Sequence, residues 1–306
     1  MSEYQFYEFQ AIDRPLTPQE QDKIDALSSR VELTPTSAIF TYNYSDFPAD
    51  AEQILARYFD AMLYTSNFGS RQLMFRFPGS LVKAAELKPF CLEDAIQVRT
   101  SGKYLTLNIR VDEEPSGEWI EGPGMLTPLL PLRQSLIEKD YRALYLAWLK
   151  CAEVSFCYDG DEDAAGLLEP PVPPNLGKLT PPLRALIDFL ELDDTLVKVA
   201  AQGSQALPTL KPVEYESLLD QLPEAERQKF LVRLLRGESN LTQQLQQRLL
   251  KLRSVPPSEK KPAASPRRTF SDLFKEAEDW NQRREKSKTP TQGRIGETLG
   301  SRRNRR

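Results

Sequence analysis

Apolar positions alternate along Ser37–Tyr44, with Ala38, Phe40, Tyr42 and Tyr44 on one side and Ile39, Thr41 and Asn43 on the other. That period of two predicts a half-buried strand. It returns at Arg71–Phe77, where Leu73, Phe75 and Phe77 turn inward, and an aromatic-rich strand is expected at Tyr4–Ile12. Over Asp50–Tyr64 the spacing changes. Ala51, Ile54, Leu55, Tyr58, Phe59, Met62 and Leu63 fall on one helical stripe, predicting a single amphipathic helix. Thr17-Pro18-Gln19-Glu20 reads as a capping box with proline in the first turn, so a helix runs from there to about Ser28. Pro78-Gly79-Ser80 ends the strand before it and opens a short helix to Lys88.

The strongest local pattern is a hairpin, Ala95–Thr100 and Lys103–Val111 around a Ser101-Gly102 turn. This turn pairs Val98 with Leu105 and Ile96 with Leu107, and sets Gln97 and Arg99 opposite Thr106 and Tyr104 on the other face. Residues 1–125 therefore read as an α+β domain with a mixed or antiparallel sheet. A polar loop at Asp112–Gly124, anchored by Trp119 and Ile120, leads out of it.

From there the pattern is helical. Helices are expected at Thr127–Glu138, Asp140–Phe156, Leu179–Glu191 and Asp193–Ala201. Two more follow, one opened by Pro223 and closed by Gly237, the other from Ser239 to Arg253 with a Leu241, Leu245, Leu249, Leu252 stripe. In Asp140–Phe156 the stripe of Tyr141, Leu144, Tyr145, Trp148 and Ala152 is joined by Leu146, Leu149 and Phe156, which predicts a buried packing helix. Residues 126–255 form a helical domain on this reading, with an acidic and proline-rich loop at 158–175. A linker at 256–268, a tethered amphipathic helix at 269–283 and a disordered basic tail at 284–306 complete the chain.

Composition then removes whole classes of chemistry. The 306 residues contain no histidine, which excludes Ser-His-Asp and Cys-His catalysis and His-ligated zinc. Three scattered cysteines, Cys91, Cys151 and Cys157, suit neither a disulfide framework nor a thiolate-only zinc site. No phosphate-cradling glycine loop and no serine nucleophile elbow occur in the sequence. Neither a signal peptide nor an apolar run of about 18 residues is present, so a cytoplasmic protein without a membrane span is expected.

Charge sharpens the picture at the end of the chain. From Glu259 onward there are 14 basic and 7 acidic side chains, whereas the residues before it carry 26 and 37. An acidic body thus bears a basic tail, able to attract an anionic partner or the body itself.

Four groups of residues are candidates for function. Asp159, Asp161 and Asp163 have the spacing of the first calcium-loop ligands, but the glycine and the bidentate glutamate of that loop are missing, which makes them a solvated loop. Glu8, Asp13 and Arg14 could contribute a carboxylate pair, with nothing placed opposite them. Arg99 and Arg110 give the hairpin a basic, aromatic-bearing face of the sort that single-stranded nucleic acid stacks on. The ordinary alternative for Arg99 is a stabilising cross-strand pair with Tyr104.

The tail helix, with Phe270, Leu273, Phe274, Ala277 and Trp280 as its stripe, cannot bury that face alone and must dock on its own body or in a partner's groove. Arg283 and Arg284 at its end complement the helix dipole. Arg302, Arg303, Arg305 and Arg306 have no such explanation and suit an anionic surface.

YEFQAIDRPLT at the start, DYRALYLAWL, the acidic loop and EPPVPPNLGKL together resemble a family of uncharacterised bacterial proteins. The resemblance covers residues 4–200 and RRTFSDLFKEAE; it implies a bacterial, cytoplasmic setting and supplies no functional residues. No catalytic residue, cofactor or metal is expected, and the oligomeric state is open. The leading expectation is a non-catalytic protein-interaction or scaffold module, with a protein partner for the tethered helix. Nucleic-acid association through the basic tail and hairpin face is the second expectation, and a carboxylate-dependent, metal-assisted enzyme the third.

Overall fold

Seven strands, all antiparallel to their neighbours, lie in the order β2-β3-β1-β4-β5-β7-β6. They are β1 (Tyr4–Gln10), β2 (Glu32–Leu33), β3 (Ser37–Asn43), β4 (Ala61–Ser66), β5 (Ser70–Pro78), β6 (Ile96–Ser101) and β7 (Tyr104–Asp112). Three helices interrupt them: α1 (Pro18–Asp25), α2 (Ala51–Tyr58) and α3 (Ala84–Leu87). The helices that follow are α4 (Pro131–Ile137), α5 (Arg142–Cys157), α6 (Pro181–Leu190), α7 (Asp194–Gln202), α8 (Tyr215–Leu219), α9 (Glu224–Leu235), α10 (Leu241–Leu252) and α11 (Phe270–Lys288). This computed structural model describes residues 4–113, 122, 124–157, 166–206, 215–238, 240–252 and 267–288. The fold class is α+β, as the strand and helix periodicities predict.

Several local signals act as expected. Thr17 Oγ1 accepts the Glu20 amide and the Glu20 carboxylate accepts the Thr17 amide, closing the capping box of α1. Asp50 caps α2 by accepting from Glu52 and Gln53. The expected single helix at Asp50–Tyr64 is corrected, however. α2 stops at Tyr58, and Ala61–Ser66 form β4, the central strand of the sheet. Both faces of β4 are covered, so its apolar residues run continuously and mimic a helical stripe.

The hairpin register is also corrected. The loop residues are Gly102 and Lys103, so Val98 pairs with Leu107 and Ile96 with Ile109. Gly102 has φ +58°, and a positive φ at the first loop position is what a type II′ turn requires. The expected pairing was off by two residues, an even slip that leaves every side chain on its assigned face.

One sheet face carries Phe6, Leu63, Leu73, Phe75, Leu107 and Ile109 and is covered by α5 and its neighbours. The other carries Phe9, Phe40, Met62 and Met74 and is partly covered by α1 and α2. The first core runs without a break from Phe6 on β1 through α5, α6 and α7 to Phe270 on α11. α4, α5, α6, α7 and α11 therefore share the hydrophobic core of the sheet. Gly122 lies against this layer, where an added Cβ would sit 2.2 Å from Cγ of Phe6, leaving room only for glycine. α8 and α10 meet in a smaller cluster around Leu218, Leu222 and Leu249.

At one end of the sheet the layers are joined by charge. Asp60, 1 % exposed, accepts the amides of Ile12 (2.7 Å) and Asp13 (2.8 Å) and the Arg76 guanidinium (2.8 and 3.2 Å). Arg133 of α4 grips Asp13 with two 2.9 Å bonds and donates Nε to the Arg76 carbonyl at 2.8 Å. Asn240, at the start of α10, also donates to Asp13 (2.9 Å). Strand, loop and two helical groups thus converge on two carboxylates and two guanidiniums. Removing one member of such a buried set leaves uncompensated charge, a loss of about 3–5 kcal/mol. Arg133→Met is expected to lower unfolding stability by about that amount in urea titration; a loss under about 1 kcal/mol would show that the cluster is dispensable.

Candidate functional site

The hairpin face that carries Arg99 and Arg110 opens into a concave strip of about 550 Å³ between the sheet and the N-terminus of α2. A direct cross-strand row, Arg110–Gln72–Tyr64–Tyr7–Phe40, crosses it. Tyr7 stands between Tyr64 and Phe47, at ring-centre distances of 4.5 and 4.7 Å. Burial, followed by the neighbouring Tyr64, pushes the Tyr7 hydroxyl well above its ordinary value, so it remains a proton donor, to Gln5 Oε1.

The cations of this face are already engaged. Arg99 donates to Glu52 (2.7 Å) and Gln97 (2.8 Å), and Glu52 also accepts from Asn108, which in turn accepts from Gln72. Arg110 holds Asp112 through Nε (2.7 Å) and Nη2 (3.2 Å). Asp46, Asp50 and Glu52 line the same strip. A phosphate chain would meet three carboxylates beside two neutralised guanidiniums, a poor electrostatic match. Arg99 therefore pairs with Glu52 on α2, and it is Arg76 whose guanidinium lies over the Tyr104 ring, 4.5 Å from its centre.

A second concavity of about 430 Å³ lies at the junction of sheet and helices, between Phe90, Tyr141 and the Pro171–Asn175 run. Arg142 ties its walls, binding Asp140 and donating to the carbonyls of Asn175 (3.3 Å) and Lys178 (2.6 Å). These contacts hold the proline segment in place. The clustered Asp159, Asp161 and Asp163, and the Trp119 and Ile120 loop, lie outside the described residues.

The carboxylates of the opening segment are separated from one another. Asp13 belongs to the Arg133 cluster, and Arg14 binds Glu20 at 2.6–2.7 Å. Glu8 points into the helical layer and accepts from the Leu126 amide at 3.4 Å. Among the described residues no group of three or more cysteine, aspartate or glutamate side chains is placed to hold a metal ion.

The tail helix docks on its own body. Phe270, Leu273 and Ala277 enter the main core, and α11 packs along α7 and α5. The Phe270 ring meets Trp148 at 6.1 Å and Phe156 at 5.7 Å, while Phe274 meets Phe156 at 5.2 Å. Backbone pairing of Leu168 with Thr269 and bonds from Phe270 N to Leu167 O and Glu169 N to Arg268 O fix the entry. Arg268 then clamps Glu169 with two 3.0 Å bonds, and the buried Tyr145 hydroxyl donates to the same carboxylate.

Of the residues expected to meet a partner, three are therefore enclosed, Phe274 is half-buried and only Trp280, at 37 % exposure, remains on the surface. The helix extends to Lys288, five residues into the span expected to be a disordered tail. Arg283 and Arg284 are exposed on it, and Arg302, Arg303, Arg305 and Arg306 lie outside the described residues.

The surface that sequence reasoning missed is α9. None of its residues is buried, and Leu231, Val232, Leu234 and Leu235 are 46–88 % exposed. Its proline entry and glycine exit were legible, but an apolar stripe in sequence does not reveal that, among the described residues, nothing covers it.

Two measurements test these assignments. Phe270→Ala is expected to cost about 3–5 kcal/mol, the loss typical of a fully buried aromatic ring; an unchanged melting temperature would mean that α11 is not seated. For Glu8, burial raises the carboxyl above its ordinary 4.5, so folding favours the protonated form. The associated stability is present below pH 4.5 and is lost as pH rises through the raised value. Glu8→Gln should consequently be more stable than the parent at pH 7 and equal to it in acid, and an advantage that grew in acid would contradict this. No family model, curated protein or solved structure matches the chain, so the resemblance to a bacterial family rests on its motifs alone.

Proposed function

We propose that this protein is a non-catalytic protein-interaction module whose contact surface is α9. The observation that carries the reading is the cluster of four large apolar side chains left in water on one helix, Leu231, Val232, Leu234 and Leu235. A contiguous apolar patch of that kind on a folded protein marks an interaction surface far more often than a scattered leucine does. The contrast with α5 is informative. There, eleven residues are buried, and the apolar surface is fully used inside the fold.

The tail helix takes a different part in this reading from the one its sequence suggests. It is an internal clasp that completes the core, and the recognition role passes to α9. The support for nucleic-acid association is reduced to the arginines beyond residue 288, because the cations of the hairpin face are neutralised in place. A carboxylate-dependent enzyme has no facing carboxylates at Glu8 and Asp13 to support it.

Affinity purification of the full chain and of Leu231→Asp/Leu235→Asp, with co-purified proteins compared by mass spectrometry, tests the reading. Since both side chains are exposed, the variant should keep its melting temperature and lose at least about tenfold of its partner, as hot-spot disruption does. Equal recovery by parent and variant would remove α9 as the contact surface.

A further inference from the structure

We infer that the polar strip between the sheet and the N-terminus of α2 binds a neutral saccharide through the side-chain amides on its floor. Gln5, Gln72 and Asn108 line it, and each is only 8 % exposed. At about 550 Å³ the strip falls within the usual range of small-molecule clefts, about 300–1,000 Å³. No residue of α9 borders it, so this site is separate from the contact surface proposed above.

Two carboxylates fix which way the amides point. A carboxylate only accepts, so Asn108 must turn Nδ2 toward Glu52 Oε1, at 2.9 Å. Its Oδ1 is then the acceptor for Gln72 Nε2, at 2.8 Å. Gln72 Oε1 is left over: among the described residues nothing donates to it, and it is not sealed from solvent. In the same way Asp46 Oδ1 takes Gln5 Nε2 at 3.2 Å, which turns Gln5 Oε1 to the Tyr7 hydroxyl. Asp46 is exposed, and among the described residues its Oδ2 accepts no bond. The strip thus holds oriented acceptors in place before any ligand arrives, which lowers the ordering cost of binding.

Arg110, the direct cross-strand neighbour of Gln72, adds a donor beside that acceptor. Asp112 takes its Nε and Nη2, and among the described residues Nη1 donates to no side chain. An adjacent donor and acceptor suit two neighbouring hydroxyls, since each hydroxyl can both give and take a hydrogen bond. A saccharide carries such pairs around its ring.

Other ligand chemistries fit less well. An anion meets Asp46, Asp50 and Glu52 along the strip, and a cation meets Arg99 and Arg110, so either encounters like charge. A nucleobase needs an open ring face to stack on. Tyr7 offers none, because Tyr64 and Phe47 stand on either side of it. A neutral polyol needs neither a counter-charge nor a stacking platform.

A microarray of neutral, sulfated and uronate-bearing oligosaccharides, probed with the labelled full chain, tests this, with free amino acids titrated calorimetrically alongside. Expected is binding to at least one neutral glycan, little affected by salt. Titrated with that glycan, Gln72→Leu and Asp46→Ala should each bind about two- to tenfold more weakly, the equivalent of one hydrogen bond. Asp46 is exposed, so its variant should keep the parent melting temperature and decides the matter if Gln72→Leu does not fold. Leu231→Asp/Leu235→Asp should bind the glycan as the parent does. No neutral glycan bound, or binding confined to anionic glycans or amino acids, overturns the inference. So does unchanged affinity in Asp46→Ala, or loss of the glycan on changing α9, since either puts the sugar elsewhere.

Discussion

A carboxylate with almost no access to water cannot stand alone, and the demand of Asp60 for partners organises one whole end of the molecule. It sits at the point where α2 ends and β4 begins, and its two oxygens take amides from the loop after β1 and the guanidinium of Arg76. Arg133 links that arrangement to α4 through Asp13 and the Arg76 backbone. The desolvation cost of each ion is several kcal/mol, so the set is tolerable only when complete. Its value is then specificity of arrangement more than net stability. Only one placement of the helices lets every charge find its partner.

Elsewhere the layers are held by burial, and polar networks mark where a helix must enter or stop. The Tyr145–Glu169–Arg268 set stands where α11 begins. Arg71, Glu113 and Lys150 form a comparable set where β5 and β7 pass under α5, with Arg71 at 2.9 Å and Lys150 at 2.6 Å from Glu113. In each case a long basic side chain reaches from one layer to a carboxylate of another. Apolar contacts alone, being non-directional, would leave the helices free to slide.

Much of this was legible in the sequence where the signal is local. The capping box at Thr17, the face assignments of the hairpin and the internal nature of Asp140–Phe156 all follow from side chains within a few positions of one another. Failures occurred where the deciding contact is distant. Residues 61–64 are apolar on both sides because both sides are covered, and a continuous apolar run carries no period to read. The two-residue slip of the hairpin arose because Ser101-Gly102 and Gly102-Lys103 are both credible turns, and only the positive φ of Gly102 at the first loop position distinguishes them. For α11 the cap and stripe were evident, but its seat is formed by Trp148, Phe156 and α7, all far upstream in the chain. The α9 surface was hidden for the converse reason, since exposure is the absence of a contact.

The seat of Phe270 has a consequence for biosynthesis. The sheet and α5 can assemble as they leave the ribosome, since domains fold from the N-terminal side while synthesis proceeds at about 5–20 residues per second. Yet the ring that fits between Trp148 and Phe156 is made more than 110 positions after Phe156. From the completion of α7 until Phe270 is made, a matter of seconds at such rates, the nascent chain carries an uncovered apolar slot against α5 and α7. A chaperone able to hold that slot during elongation, and to yield it when α11 emerges, would act as a placeholder for the protein's own helix.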